Sequence, residues 1–220
     1  MEKSELKPLV DIVMKNNGPF GIFANPYFGT TSLMMKLVNE INKEKEGVSI
    51  IVSLDLLENH WKQRMLSMRL SIENIVILDD SCITIEAIES TIIEFQQINV
   101  IVIDYLGLMD KVVAEQIKNV SKKYALPIVV LGKLSRDSGD YDPRHRPELY
   151  SVSDLCRRKK IELMEYDYLA LLHREHDCER GIGVANRYNI SDMCELIIKR
   201  NCFGDIGSLF IRHEIEKWEN

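Results

Sequence analysis

Between Phe20 and Lys36 the chain reads as an apolar run, a turn and a helix, and the turn, Ala24-Asn25-Pro26-Tyr27-Phe28-Gly29-Thr30-Thr31-Ser32, holds residues that could grip an anion. A loop of the pattern G-x-x-x-x-G-K-[ST] set between a strand and a helix binds phosphate. Its glycines let backbone N–H groups curl round the anion, its lysine carries charge to the outer phosphates, and its hydroxyl holds magnesium. Gly29 and Thr31 meet that pattern, while Ala24 stands at the first glycine and Thr30 at the lysine. Asn25, Pro26, Gly29, Thr30, Thr31 and Ser32 are therefore candidate ligand contacts. The same text also fits an ordinary Pro/Gly turn in which Thr30 or Thr31 caps the following helix. A second feature is Asn99-Val-Ile-Val-Ile-Asp104, apolar on both faces and closed by a carboxylate, as suits a central parallel strand whose end opens into a site.

These residues need a scaffold, and the rest of the chain alternates as one would. Leu6, Leu9, Val10, Val13 and Met14 form one helical stripe, stopped at Asn16 to Pro19. Strands are expected at Phe20–Ala24, Val48–Leu54, Ile75–Leu78, Asn99–Asp104 and Pro127–Leu131. Helices are expected at Thr30–Lys43, Leu56–Leu70, Ile83–Gln96 and Val112–Tyr124. That alternation specifies an α/β fold with a mostly parallel sheet. Ser135 to Tyr150 is polar and rich in Asp, Arg and Pro, a long loop of the functional kind. Tyr168–His173, Cys194–Lys199 and Ser208–Ile211 are the remaining strands, the last two joined at Gly204 and Gly207 as a hairpin at one sheet edge. The phosphate-loop crossing, Phe20 to Lys36, and the strand Val100 to Leu106 are expected side by side with their tips sharing a pocket.

With 220 residues, 45% of them hydrophobic, the chain can bury one full α/β core. A net charge of −6 argues against nucleic-acid binding through the whole surface and confines any such contact to local patches. Arg144 and Arg146 form one such patch and Arg157, Arg158, Lys159 and Lys160 another; each reads equally as a solvated basic face. The five cysteines are widely spaced without a C-x-x-C pair, which suits a reducing cytoplasm. His173, His176 and Cys178 have ligand-like spacing but no evident fourth ligand. No apolar run approaches the roughly 20 residues of a membrane span.

Taken in order, the motifs resemble the RecA-type motor domain of DnaB replicative helicases. The Ala24 to Ser32 loop resembles that family's A/G-R-P-S-M-G-K-T-T, and Val52-Ser-Leu-Asp55 its F-S-L-E. Ile77-Leu-Asp-Asp-Ser81 is similar to I-D-D-T/S, and Val102-Ile-Asp-Tyr-Leu-Gly-Leu-Met109 to I-D-Y-L-Q-L-M, the most specific of the set. Pro127 to Arg136 resembles P-V-V-A-L-S-Q-L-S/N-R. Arg146-Pro147 with Asp154-Leu155-Cys-Arg157 resembles R-P-x-x-S-D-L-R-E, and Glu195 to Ile198 with Gly204 to Ser208 resembles E-I-I-I and G-P-I-G-T. The resemblance implies a RecA-like P-loop fold over residues 18–220, three layers α/β/α with a C-terminal antiparallel hairpin, preceded by an N-terminal helix at 1–17. It also implies ATP and Mg as cofactors, single-stranded DNA as ligand, assembly as a homo-oligomeric ring or with other replication proteins, and no membrane. Only Met1 to Pro19 precedes the first strand, so the family's N-terminal assembly and primase-recruiting domain is expected to be missing.

The departures fall where the family acts on the γ-phosphate and the attacking water. Thr30 replaces the loop lysine, Asp55 the glutamate after the second strand, and Lys133 the glutamine after the fourth core strand. Ungapped alignment of the hairpin puts Cys202 at the arginine finger contributed to a neighbouring subunit, with Arg200 two residues earlier. Asp55, Lys133 and Arg200 are the catalytic candidates that remain, and Thr31 with Asp104 keeps the magnesium-binding character. An arginine finger alone is worth roughly 10³ to 10⁵ in rate, so these losses imply impaired hydrolysis. Lys133 could return the charge lost at Thr30, or it is a solvated lysine at a loop start. Three readings follow: a DnaB-like ATPase-fold protein that binds ATP weakly or not at all, an active ring helicase or translocase relying on Lys133, and a scaffold without nucleotide.

Overall fold

The computed structural model describes residues 5–15, 18–24, 28–133, 166–174, 193–202 and 204–212. The elements, in chain order, are α1 (Lys7–Met14), β1 (Pro19–Ala24), α2 (Thr30–Glu44), β2 (Val48–Ser53), α3 (Glu58–Ser67), β3 (Ile75–Leu78) and α4 (Ile85–Glu94). They continue with β4 (Ile98–Asp104), a 3-10 turn at Leu106–Leu108, α5 (Lys111–Tyr124), β5 (Ile128–Lys133), β6 (Tyr168–His173), β7 (Met193–Asn201) and β8 (Gly207–Arg212). The strands form one sheet of eight in the order β3-β2-β4-β5-β1-β6-β7-β8. Pairing is parallel from β3 through to β6 and antiparallel at β6–β7 and β7–β8, so the expected hairpin does sit at a sheet edge.

The period-two alternation of the strands divides the interior into two layers. Phe20, Ile22 and Ala24 of β1, with Val100 and Val102 of β4, face a core shared with α1, α2 and with Trp61 and Met65 of α3. Phe23, Ile101 and Ile103 face the opposite way, onto Ile88 and Ile92 of α4 and Ile117 and Val120 of α5. Because both faces are covered, β1 is buried along its whole length, which explains its unbroken apolar text. Thr84 Oγ1 accepts from Ala87 N at 3.3 Å to start α4, and Asp110 Oδ1 accepts from Val112 N at 2.8 Å to start α5. Helix α1 lies against α2, where Lys7 Nζ reaches Glu44 Oε2 at 2.6 Å.

One expectation about neighbours is corrected. β1 and β4 are not adjacent, because β5 lies between them and pairs with both. Ile128 to Leu131 is apolar on both faces and needs two strand neighbours to satisfy its backbone, so it takes the central slot. At the N-terminal edge of the sheet, Asn42 of α2 joins three elements: its Oδ1 accepts from Ser49 Oγ at 2.6 Å and Asn99 Nδ2 at 3.0 Å, and its Nδ2 donates to Asn74 O at 3.0 Å. Among the described residues no helix is long and apolar enough to cross a membrane. Ser135 to Tyr150 lies outside the described residues.

Strand β5 tolerates glycine at 132 for a packing reason. A methyl built there would meet the Phe23 ring at 2.4 Å, and that ring is held edge-on against Tyr166 at 5.7 Å between centroids. Gly132→Ala is expected to destabilise the protein by about 1–3 kcal/mol. Combined with Phe23→Leu, its effect should shrink well below additivity when both are measured by urea unfolding.

Candidate functional site

Parallel strands deliver their C-terminal ends to one edge of the sheet, and the polar candidates gather there. β1 runs into the phosphate-loop segment, β5 ends at Lys133, β4 ends at Asp104, and Asp55 follows shortly after β2. Helix α2 opens at Gly29, whose φ of 81° is left-handed and whose Cβ-free backbone makes that turn without strain. No side chain caps α2, so the reading in which Thr30 or Thr31 serves as a cap does not hold. Instead the Thr31 hydroxyl donates to Asp104 Oδ2 at 2.8 Å, reaching over the end of β5. The first turn of α2 and Asp104 thus meet at one end of the sheet despite the intervening strand.

Asp104 is 3% exposed. Burial pushes its carboxyl up to about 6, against the Thr31 hydrogen bond and the Lys133 charge that hold it down; Asp55 adds to the rise and Arg64 opposes it. Lys133 Nζ sits 2.9 Å from Asp55 Oδ2 and 3.7 Å from the centre of the Tyr105 ring. The two side chains of this ion pair are 41% and 49% exposed, so it contributes no more than about 1 kcal/mol and opens readily. The alternative of Lys133 as a solvated loop lysine is therefore too plain a description: it bridges β5, the residue after β4 and the residue two past β2.

Two arginines touch the loop segment that the sequence did not single out. Arg64 of α3 donates through Nη2 to Ser32 Oγ at 2.7 Å, and Arg174, just past β6, donates through Nε to the Phe28 carbonyl at 2.9 Å. The signal for Arg64 was its place on the buried stripe of Trp61 and Met65, where a charged residue is out of character. Arg174 follows directly on the fully buried run Tyr168–His173, which is the corresponding signal. Ser53 is a quieter support: its Oγ accepts from Trp61 Nε1 at 2.8 Å and so fixes α3 beneath the Asp55 turn.

Arg200 is not brought to this edge within its own chain. It pairs with Leu169 near the start of β6, whereas Glu195 pairs with His173 at the site end, leaving roughly 13 Å of strand between. Cys202 lies further in the same direction, its N bonded to Asp167 O at 3.0 Å. Asn25, Pro26, Arg144, Arg146, Arg157, Arg158, Lys159 and Lys160 lie outside the described residues, as do His176 and Cys178. Among the described residues no cluster of three or more His, Cys, Asp or Glu side chains could hold a metal ion.

Known proteins share this fold. The family model described as "DnaB-like helicase C terminal domain" matches residues 68–220. A solved structure of an ATPase domain superposes with a TM-score of 0.68 at 16% identity, covering 89% of this chain and 81% of that one. Another, "The Structure Of A DnaB-Like Replicative Helicase And Its Interactions With Primase", gives a TM-score of 0.72 at 17% identity, covering 94% of this chain. The chain spans 60% of that protein's length. At such identities the likeness is one of fold, and the fold is the RecA-like three-layer domain. No curated protein matches the sequence. The matched family range begins after Asp55 and does not include the phosphate-loop segment.

The raised Asp104 carboxyl has a measurable effect on stability. Its pKa moves from 3.8 to about 6 on folding, so between those values the folded protein holds a proton that the unfolded chain has released. That contribution is complete below about pH 4, declines as pH rises, and is gone above about 6. Asp104→Asn is neutral at every pH and keeps an acceptor for Thr31. Without divalent cations it is expected to be more stable than the parent by about 1–3 kcal/mol at pH 7.5, and by much less at pH 4, in urea unfolding at the two pH values.

Proposed function

Because the chain belongs to the DnaB-like helicase C-terminal domain family, we propose that it is a replication-associated RecA-like domain that binds ATP weakly and hydrolyses it poorly, and does not unwind DNA alone. The Thr31–Asp104 hydrogen bond carries this reading, since it joins the first turn of α2 to a buried carboxylate at the strand end where such domains place nucleotide. The residues present fit a magnesium–nucleotide pair. Backbone N–H groups at Gly29, Thr30, Thr31 and Ser32 would face phosphate, and Thr31 with Asp104 would hold the metal. Magnesium, when bound, would offset phosphate charge and polarise the terminal phosphoryl group. In this reading residues 1–17 are a leading segment that carries α1, and 18–220 the RecA-like domain.

Charge is the weak part of the fit. Thr30 brings none to the phosphates, and Lys133 is the cation able to substitute, reaching from the strand between β1 and β4. It must first leave Asp55, and the shallow energy of that exposed pair permits the exchange. Asp55 would then be released to orient water, but it is one methylene shorter than glutamate and sits about 1.5 Å further back unless the backbone moves. Weak binding with slow turnover is the result. The same position of Lys133 favours a second reading, an active ring-forming ATPase or translocase whose lysine has moved, with Arg200 serving a neighbouring subunit. Single-stranded DNA would meet the basic residues Arg144, Arg146, Arg157, Arg158, Lys159 and Lys160.

ATP turnover with and without single-stranded DNA, run beside a nucleotide thermal-shift titration, separates the readings. A shift without turnover supports the weak binder, DNA-stimulated turnover the active motor, and no shift a scaffold. Lys133→Ala is expected to weaken ATP roughly 10- to 100-fold, the worth of a charged hydrogen bond. Unchanged affinity would remove Lys133 from the site.

A further inference from the structure

Arg174 is 1% exposed, deeper than Asp104 at 3%. A guanidinium in that position is costly unless its donors meet acceptors, and its Nε meets the Phe28 carbonyl at 2.9 Å. Phe28 is itself 2% exposed, and its ring lies 6.4 Å from that of His173, so backbone and side chain of this residue both face the end of β6. The peptide between Phe28 and Gly29 is trans, as are all the described peptides save Asp104–Tyr105. A trans peptide points its C=O and the following N–H in opposite directions. Holding the Phe28 carbonyl towards the interior therefore turns the Gly29 N–H away from the buried guanidinium, and the left-handed φ of Gly29 carries the chain straight into α2.

We propose that Arg174 is a positioning residue of the phosphate loop: by fixing the Phe28 carbonyl it sets the plane of the Phe28–Gly29 peptide from which α2 departs, and so the direction in which the first turn of α2 meets an anionic ligand. The identity of that ligand as a nucleoside triphosphate rests on the reading above, whereas the loop orientation does not. Arg64 meets the same segment at a side chain, the Ser32 hydroxyl.

The test uses the full chain as Arg174→Met, which keeps volume and removes charge, and Arg174→Lys, which keeps a cation of similar reach. Two quantities are read: amide hydrogen exchange over Gly29 to Leu33 against that of Val100 to Ile103, and affinity for magnesium–ATP by calorimetry. Arg174→Met is expected to speed loop exchange selectively and to weaken ATP, each by about tenfold or more, with partial recovery of both in Arg174→Lys. Unchanged loop exchange in Arg174→Met overturns the proposal. So does exchange rising equally in β4, or loss of cooperative unfolding in both variants, since either marks a packing role alone. If the parent chain binds no ATP, the nucleotide reading fails by itself, and the exchange comparison still decides the role of Arg174.

Discussion

Strands covered on both faces have nowhere along their length to keep a charge. All six residues of β1, all six of β6 and the first five of β5 are buried, so any polar side chain on them would need a partner within the sheet sandwich. Charge is therefore driven to strand ends. In a parallel arrangement the ends of neighbouring strands coincide, and Asp104, Lys133 and the start of α2 come together from segments far apart in sequence. The site is a by-product of that exclusion before it is anything chemical.

Much of this was legible beforehand, for identifiable reasons. Period-two and continuous apolar text located every described strand to within a residue or two, because burial leaves a pattern in composition. That Thr31 and Asp104 come to the same end of the sheet followed from strand direction together with the motif resemblance. Strand order was less accessible: that β5 separates β1 from β4 depends on which apolar strands take the interior slots, and their texts are alike. The partners of Lys133 were hidden because Asp55, Tyr105 and Lys133 come from three separate strand ends. For Arg64 and Arg174 the neighbouring apolar residues signalled an inward position, but a sequence does not show the hydroxyl or carbonyl that each meets there.

The retained and altered positions differ in what they demand of the fold. Asp104 works against stability near neutral pH, because burial disfavours its anion and a neutral residue would fit the same space at less cost. Lys133 and Asp55, by contrast, are half in solvent and make a pair of small energy. Members of this family share the architecture, and the architecture alone specifies neither the strength of nucleotide binding nor the rate of hydrolysis.

The opposite rim of the sheet is held by Asn42, Asn99 and Ser49, none of which gains or loses a proton between about pH 4 and 9. These contacts therefore persist through acidification and alkalinisation across that range. A spectroscopic label set near Asn74 would report on a junction of α2, β2 and β4 whose amide and hydroxyl bonds protons leave intact.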